Sequence, residues 1–462
     1  MKKTTSFYLS IFFLICTSLL LIFIFYKDQI FNAGLKNNYY KIYYFLGIFL
    51  FCYAVINFFL KENLRINSLL IIFSFIFGLY LIEFLLLISG MGNFANGGSQ
   101  QRITTDPLIQ KKIKIKKDYD TRSLIQFYEH KYIENKNIVL GMYPNNFLIH
   151  DNQELFPLSG ISYRETILCN ENGYYATYQS DRYGFNNPDN LWNNNEIDFM
   201  MFGDSFLHGS CVYEKDSIVG HFKKISPKKT ALNLGYGGTG PLIQLATLKE
   251  YLPTIKAKNI LWFYYEGNDL RNLHSELKNE ILFEYLNNKN FTQKLRLKQD
   301  RIDNTLIQIL EKGKTLSQQL ERNSRFKSFL KLTFLRRYVY ASVLSSNKKD
   351  NVYTNDKNIR FFIKIIESAK KISKKNNSNF YFIYIPHIKR LELKDQDFDQ
   401  YKEYKLIKKK LKEIDVKIID LYDELFLKIK DPLVMYPFKL RVPSHFSEYG
   451  YKLIAETVRS NF

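Results

Sequence analysis

Residues 197–206 read IDFMMFGDSF, an apolar run interrupted only by Asp198 and ended abruptly by Gly203-Asp204-Ser205. A short apolar run bounded by turn residues marks a strand buried on both faces. Four runs downstream have the same form: TALNLG from Thr230, NILWFYY from Asn259, NFYFIYIP from Asn379 and VKIIDL from Val416. Helical patterns lie between them, around 217–225, 242–251, 360–375 and 400–414. Strands alternating with helices predict an α/β fold, a parallel sheet with helices on both faces. Such sheets carry their sites at the carboxyl ends of the strands. Three polar turns fall there: Gly203-Asp204-Ser205, the Gly-rich stretch 233–240 (NLGYGGTG) and Glu266-Gly267-Asn268-Asp269. The alternation stops over about 272–345, a helical, basic and partly amphipathic insertion. It reads equally as a lid or binding surface and as a cap that protects the core.

Upstream, 124–195 reads as a small β-rich lead-in and not as a catalytic unit, with strand-like runs NIVLGMY, FLIH and GYYATY. Before it, 92–123 reads as a linker that ends in a basic stretch, KKIKIKKD. Residues 1–91 hold three apolar runs. The first, between Lys3 and Lys27, is free of charge for about 23 residues, long enough to cross a bilayer. It is too long for the core of a signal peptide, and no A-x-A-like site follows it. The second lies between Lys41 and Lys61, and the third runs from Ile66 to about Ser89 with Glu83 as its one acid. Three N-terminal transmembrane helices are therefore expected.

Lys2 and Lys3 precede the first span, and Lys61 and Arg65 fill the loop between the second and third. The excess of basic residues on the cytoplasmic side puts both places there, although the loop 27–41 is basic as well. The expected location is the cytoplasmic (inner) membrane, multi-pass, with everything after Ser89 outside the cytoplasm. Cys169 and Cys211 would then lie in an oxidising space and be able to pair. Cys16 and Cys52 read as packing residues of the spans. Glu83, in the last third of its span, is expected to snorkel near the outer interface; the rival reading is a functional intramembrane acid.

Composition sets the outer bounds. The 462 residues include 66 Lys+Arg against 45 Asp+Glu, a net charge of +21, with 39 Phe and 34 Tyr. So aromatic a chain is not disordered, and four Cys do not make a disulfide framework. Only 7 basic and 3 acidic residues precede Ser89, so most of the positive excess lies downstream. It is spread over Lys-rich helical stretches, and no nucleic-acid recognition motif accompanies it. It reads as solvated surface, with attraction to anionic lipid or polyanionic glycan as a second possibility.

Ser205 stands directly after a strand at the expected start of a helix, where a hydroxyl is exposed and backbone N–H groups point at it. Gly-Asp-Ser alone is a weak signal, because Asp and Ser are ordinary helix caps. The stretch 233–240 lets backbone approach a ligand closely; alone, it reads equally as a phosphate loop or a tight connection. Asn268 supplies a neutral amide donor. Pro443-Ser444-His445 precedes a last helical pattern over 447–457, where a lone His is more often structural. All four pieces in this order point to nucleophilic acyl transfer.

On these residues the chain resembles the SGNH/GDSL hydrolase superfamily over about 197–462, in a membrane-anchored form. The resemblance implies a flavodoxin-like three-layer parallel sheet. It implies Ser205 of Gly203-Asp204-Ser205-Phe206 as nucleophile and His445, followed by Gly450, as general base. It implies an oxyanion hole made of the Ser205 and Gly238 N–H groups and the Asn268 amide. The segment 180–187, SDRYGFNN, is also similar to a lead-in of such proteins. One departure matters. The family has an Asp two or three residues before the His, where this chain has Pro443 and Val442. That acid orients the imidazole and stabilises its charged form. Three readings stay open: a main-chain carbonyl holds His445 in a Ser–His dyad, Asp420, Asp423 or Asp431 serves from elsewhere, or the domain has no activity.

His208 and His274 read as surface residues or as supports behind the site. No cofactor is implied, and no metal, since no Cys/His cluster has ligand spacing. The expected function is ester hydrolysis on an acylated carbohydrate or small envelope ester, without nucleic acid as a partner. The alternatives are an O-acyltransferase for a surface polysaccharide, working with a membrane acyl-donor partner, and an inactive glycan-binding homologue.

Overall fold

The computed structural model describes residues 2–31, 37–89, 119–120, 122–148, 154–339, 356–391, 399–440 and 444–462. The linker expected over 92–123 lies almost wholly outside the described residues, as do Val442 and Pro443. The chain divides into two compact units, one of Met1–Gly92 with Arg325–Arg336 and one of the remainder.

The first unit holds helices Lys2–Phe25, Asn37–Asn57 and Glu62–Ser89. All three are long and apolar enough to cross a membrane. Large side chains such as Phe12, Phe49 and Phe77 are exposed on them. A polar chain links the helices inside: Ser10 Oγ donates to Asn57 Oδ1 at 2.9 Å, and Asn57 Nδ2 donates to Ser68 Oγ at 2.7 Å. Such bonds hold apolar helices together where the hydrophobic effect gives no preference. Glu83 does not snorkel. It is fully buried and accepts the backbone N–H of Phe334 at 3.0 Å and of Leu335 at 2.7 Å. These are orphan donors at the start of the helix Thr333–Val339, and a carboxylate satisfies them better than water at the interface can.

The second unit opens with the helix Leu124–Glu134, capped by Ser123 and Gln126. Three short strands follow, β1 (Ile138–Leu140), β2 (Glu165–Ile167) and β3 (Thr177–Gln179). β1 and β2 are parallel, and β2 and β3 antiparallel. Of the runs read as strands here, FLIH begins in a 3-10 turn, Pro144–Phe147, where Pro144 fixes the backbone of the first turn. β2 was not among them, because its three residues carry no period to read.

The main sheet has five strands: β4 (Glu196–Phe202), β5 (Ala231–Asn233), β6 (Lys256–Tyr265), β7 (Asn379–Ile385) and β8 (Lys417–Asp420). Their order is β5-β4-β6-β7-β8, and every pairing is parallel. All five lie at the apolar runs of the sequence. Alternate residues serve opposite faces. Met200, Phe202, Ile260, Trp262 and Phe382 enter one core, shared with the helices Pro241–Tyr251 and Asp356–Lys375. Phe199, Met201, Leu261, Phe263 and Ile383 enter the other, shared with Ile218–Ile225 and Glu448–Arg459. Each such fully buried side chain contributes about 1.5–3 kcal/mol.

From β4 the chain steps to β5 on one side, then crosses back to β6 on the other. The reversal opens a crevice at the carboxyl ends of β4 and β6. After β6 come the helices Asp269–Glu276, Glu280–Asn287 and Gln299–Leu330, where the sequence shows its helical insertion.

The segment 180–187 stitches the lead-in to this crevice. Asp181, fully buried, accepts from the N–H groups of Tyr183 and Phe185, from Asn187 Nδ2 and from Trp192 Nε1. Asn187 exchanges two bonds of 2.8 Å with the backbone of Asn233. Gly184 has φ +83, and a Cβ there would stand 2.1 Å from the Gly160 carbonyl oxygen. Gly184→Ala is expected to cost about 3 kcal/mol or more, combining a left-handed backbone with a backbone clash. A lowered unfolding midpoint, followed by circular dichroism, checks this.

Candidate active site

β4 ends at Phe202, and after Gly203 and Asp204 the chain enters the short helix Ser205–His208. Asp204 caps it, its Oδ1 accepting the Phe206 N–H at 2.9 Å. The cap forces the turn right after the strand, so Ser205 is left half-buried at the carboxyl end of β4 while its neighbours are buried. Its N–H is one of the orphan donors of a helix start.

His445 arrives from the segment before the last helix, which Ser447 caps. His445 Nε2 lies 2.8 Å from Ser205 Oγ. The two residues are 240 positions apart in sequence. His445 Nδ1 lies 3.2 Å from Glu171 Oε2, and the same oxygen accepts the His445 backbone N–H at 2.7 Å. Glu171 is thus the acid that the sequence lacks ahead of His445. A carboxylate accepts only, so Nδ1 carries the proton and Nε2 presents its lone pair to Ser205.

This corrects two expectations. First, neither a main-chain carbonyl nor Asp420, Asp423 or Asp431 holds the imidazole. Asp420 caps the turn Leu421–Glu424 and takes Lys408, Asp423 also pairs with Lys408, and Asp431 caps Pro432–Met435. Second, the β-rich lead-in is not a bystander, since Glu171 lies between β2 and β3. No local pattern marks Glu171. The available signal was Cys169, whose pairing with Cys211 would bring residue 171 beside the Ser205 segment. That pair forms a disulfide, with Cα atoms 4.7 Å apart.

Burial pushes the His445 ring down. The Glu171 carboxylate, by charge and hydrogen bond, and the Asp204 charge outweigh it, so the ring is held above its ordinary value. Burial pushes the Asp204 carboxyl up to about 6, against the pull of the Phe206 N–H, of His445 and of the Asn268 amide. Burial and the Asp204 charge together push Asp269 well above the usual carboxylate range.

The Gly-rich loop follows β5. Gly238 has φ +72, and a Cβ on it would meet Asn145 Oδ1 at 2.7 Å, so glycine is required there. No acceptor among the described residues takes its N–H. Glu276, fully buried, pins the end of the loop by accepting the Gly240 N–H at 2.5 Å and the Leu242 N–H at 2.9 Å. Asn268 sits between β6 and the helix Asp269–Glu276, half-buried, with its Oδ1 buried and unpartnered.

His208 is fully buried, not at the surface. Its ring stacks on Tyr236 at 4.5 Å, and its Nδ1 accepts the Gly237 N–H at 3.3 Å, so it supports the glycine loop from behind. Burial, with His445 nearby, pushes it down to about 3, which keeps it neutral. His274 lies beside Asn358 Nδ2 at 3.4 Å, on the helix Asp269–Glu276. Cys169, Cys211 and His445 hold donor atoms within 4.8 Å of one another. The sulfurs are bonded to each other, however, and a disulfide offers no thiolate to a metal.

No family model matches the chain, and no curated protein matches it. Solved structures do. It is similar to a putative lipolytic protein of the G-D-S-L family from Desulfitobacterium hafniense DCB-2, at 12% identity and TM-score 0.31, over 58% of this chain and 100% of that one. It is similar to a lipase/acylhydrolase from Enterococcus faecalis, at 14% identity and TM-score 0.31, over 57% of this chain and 94% of that one. A third is an acetyl-xylooligosaccharide esterase from Geobacillus Stearmophilus, at 13% identity and TM-score 0.31, over 58% of this chain and 96% of that one.

Proposed function

We propose that the chain is a membrane-anchored serine ester hydrolase of SGNH/GDSL type, with Ser205 as nucleophile, His445 as general base and Glu171 as the orienting acid. The observation that carries this reading is the unbroken line from Ser205 Oγ through the imidazole to Glu171, with steps of 2.8 and 3.2 Å. The strand order supports the three-layer, flavodoxin-like reading of the fold, and the site falls where that order reverses.

His445 Nε2 takes the Ser205 proton as Oγ bonds to the ester carbonyl carbon, and the carbonyl electrons move onto oxygen. The Ser205 and Gly238 N–H groups and the Asn268 amide receive that oxyanion. The intermediate collapses, the alcohol leaves with the proton from Nε2, and an acyl group stays on Ser205. Water, deprotonated by the same nitrogen, then releases the acid. Glu171 keeps the Nδ1 proton in place and balances the imidazolium between the two transfers.

The substrate proposed is a small acyl ester on carbohydrate or another envelope component. The disulfide supports a soluble unit outside the cytoplasm, since such bonds persist in oxidising spaces, and this agrees with the orientation inferred from the basic loops.

The test is turnover of an aryl acetate by the full-length protein in detergent, with mass-spectrometric mapping of a fluorophosphonate adduct. Labelling at Ser205 is expected, and the absence of both turnover and labelling would exclude the reading. Asn268→Ala is expected to lower kcat about 10²- to 10³-fold with KM little changed, the size of a lost oxyanion donor. An unchanged kcat would remove Asn268 from that role.

A further inference from the structure

The acid at His445 does not come from the segment that carries the base. It lies 274 positions upstream, on the loop that joins β2 to β3. The ladder of that hairpin ends with the Ala176 N–H donating to the Cys169 carbonyl at 3.1 Å. Glu171 stands two residues beyond this last rung, on a side chain with three rotatable bonds. Something outside the hairpin must fix it.

Asp120 holds the loop's tip, its N–H donating to the Gly173 carbonyl at 2.8 Å and its carbonyl accepting from Asn170 Nδ2 at 2.8 Å. Two further links meet at one point beside the site. Cys169 is bonded to Cys211, six residues after Ser205. Asn172 Nδ2 donates to the Cys211 carbonyl at 3.1 Å. Glu171 is therefore flanked on both sides by attachments to the same residue. Cys211 is fully buried and holds φ +65, a left-handed backbone that favours Gly or Asn over Cys. Its sulfur lies 3.9 Å from His445 Nδ1, so it walls the ring nitrogen that faces the carboxylate.

We propose that the Cys169–Cys211 disulfide is a positioning element for catalysis, fastening the Glu171 loop to the segment behind Ser205 and so holding the carboxylate against His445 Nδ1. The bridge acts through Glu171 and touches no reacting atom. The proposal rests on the reading of Ser205, His445 and Glu171 given above.

The test uses the full-length protein in detergent, with aryl acetate turnover and the pH dependence of fluorophosphonate labelling at Ser205 as readouts. Four forms are compared: native, Cys169→Ala with Cys211→Ala, Glu171→Gln, and all three changes together. A parallel arm treats native protein with a dithiol. It gives two electrons and two protons to the bridge, making two thiols, and closes to its own cyclic disulfide. The folded fraction is measured alongside in every sample.

Loss of the bridge is expected to lower kcat roughly 10- to 10²-fold with KM little changed, as for a small misplacement of a catalytic group. The acid limb of the labelling profile is expected to move to lower pH, in the same direction as expected for Glu171→Gln. In the Glu171→Gln background the same loss is expected to cost less than about twofold, because the two changes remove one interaction.

An equal loss in both backgrounds, or a loss that only follows the unfolded fraction, would overturn the proposal and leave the bridge a structural staple. No loss at all would overturn it too. Should the native protein fail to label at Ser205, the underlying reading falls first and the proposal with it, a result distinct from the others.

Discussion

Replacing Ser205 with Ala is expected to remove ester hydrolysis, a fall of about 10⁴- to 10⁶-fold in kcat. In the proposed mechanism the hydroxyl oxygen bonds to the acyl carbon, and Ser205 Oγ is the hydroxyl that lies 2.8 Å from His445 Nε2. Water in the vacated space would have the base but no fixed approach to the carbonyl. The fold is expected to stay intact, since Ala suits the start of a helix and the Asp204 cap bonds to Phe206 rather than to Ser205. Initial rates and a thermal melt of the purified variant check both statements. Adding His445→Ala is expected to cost little more, because nucleophile and base act as one unit. A variant that keeps more than about one hundredth of native turnover would remove Ser205 from the role of nucleophile.

Glu171→Gln is the second large effect, expected to lower kcat about 10²- to 10⁴-fold, in the range known for an orienting acid. The amide keeps the size of the side chain and loses the charge. A Gln that turns its NH₂ toward Nδ1 also shifts the ring proton to Nε2, where it blocks uptake from Ser205. The pH dependence gives a second sign. Only the neutral ring acts as base, so activity rises with pH through the His445 value, which the native site holds above the ordinary 6.5. Burial alone lowers that value; the Glu171 carboxylate, by charge and hydrogen bond, is the main counterweight, with the Asp204 charge adding to it. In Glu171→Gln the midpoint of the acid limb of kcat/KM is therefore expected to move down, and the relative loss to be greatest at alkaline pH. A midpoint that stays fixed or rises would show that the carboxylate does not set the ring's proton affinity.

The strands were legible because a parallel sheet buried on both faces leaves unbroken apolar runs, as in IDFMMF and NILWFYY. The turns that carry Ser205, Gly238 and Asn268 stood out because they follow those runs and are built from Gly, Asp and Asn. His445 was legible from its order before the last helix. Glu171 was not, because its contact is made across 274 positions by a disulfide and a loop with no period. Glu83 was misread for a similar reason. Its partners are backbone N–H groups about 250 residues away, and backbone donors leave no trace in a sequence. His208 looked like a polar residue near a site, whereas its ring stacks in the dark beneath Tyr236.

The burial of Glu83 bears on how the protein can be produced. Residues 329–335 belong with the apolar helices: Phe329 meets the Tyr80 ring at 5.3 Å, Tyr80 bonds to the Leu330 carbonyl, and Glu83 takes two N–H groups of Phe334 and Leu335. A shortened chain that starts after Ser89 would strip these residues of their neighbours and turn a greasy, unsatisfied stub toward solvent. Aggregation of such a truncation would report on that stub rather than on the catalytic unit. Secretion of a soluble form calls for trimming the chain in two places, at its start and around residues 325–339.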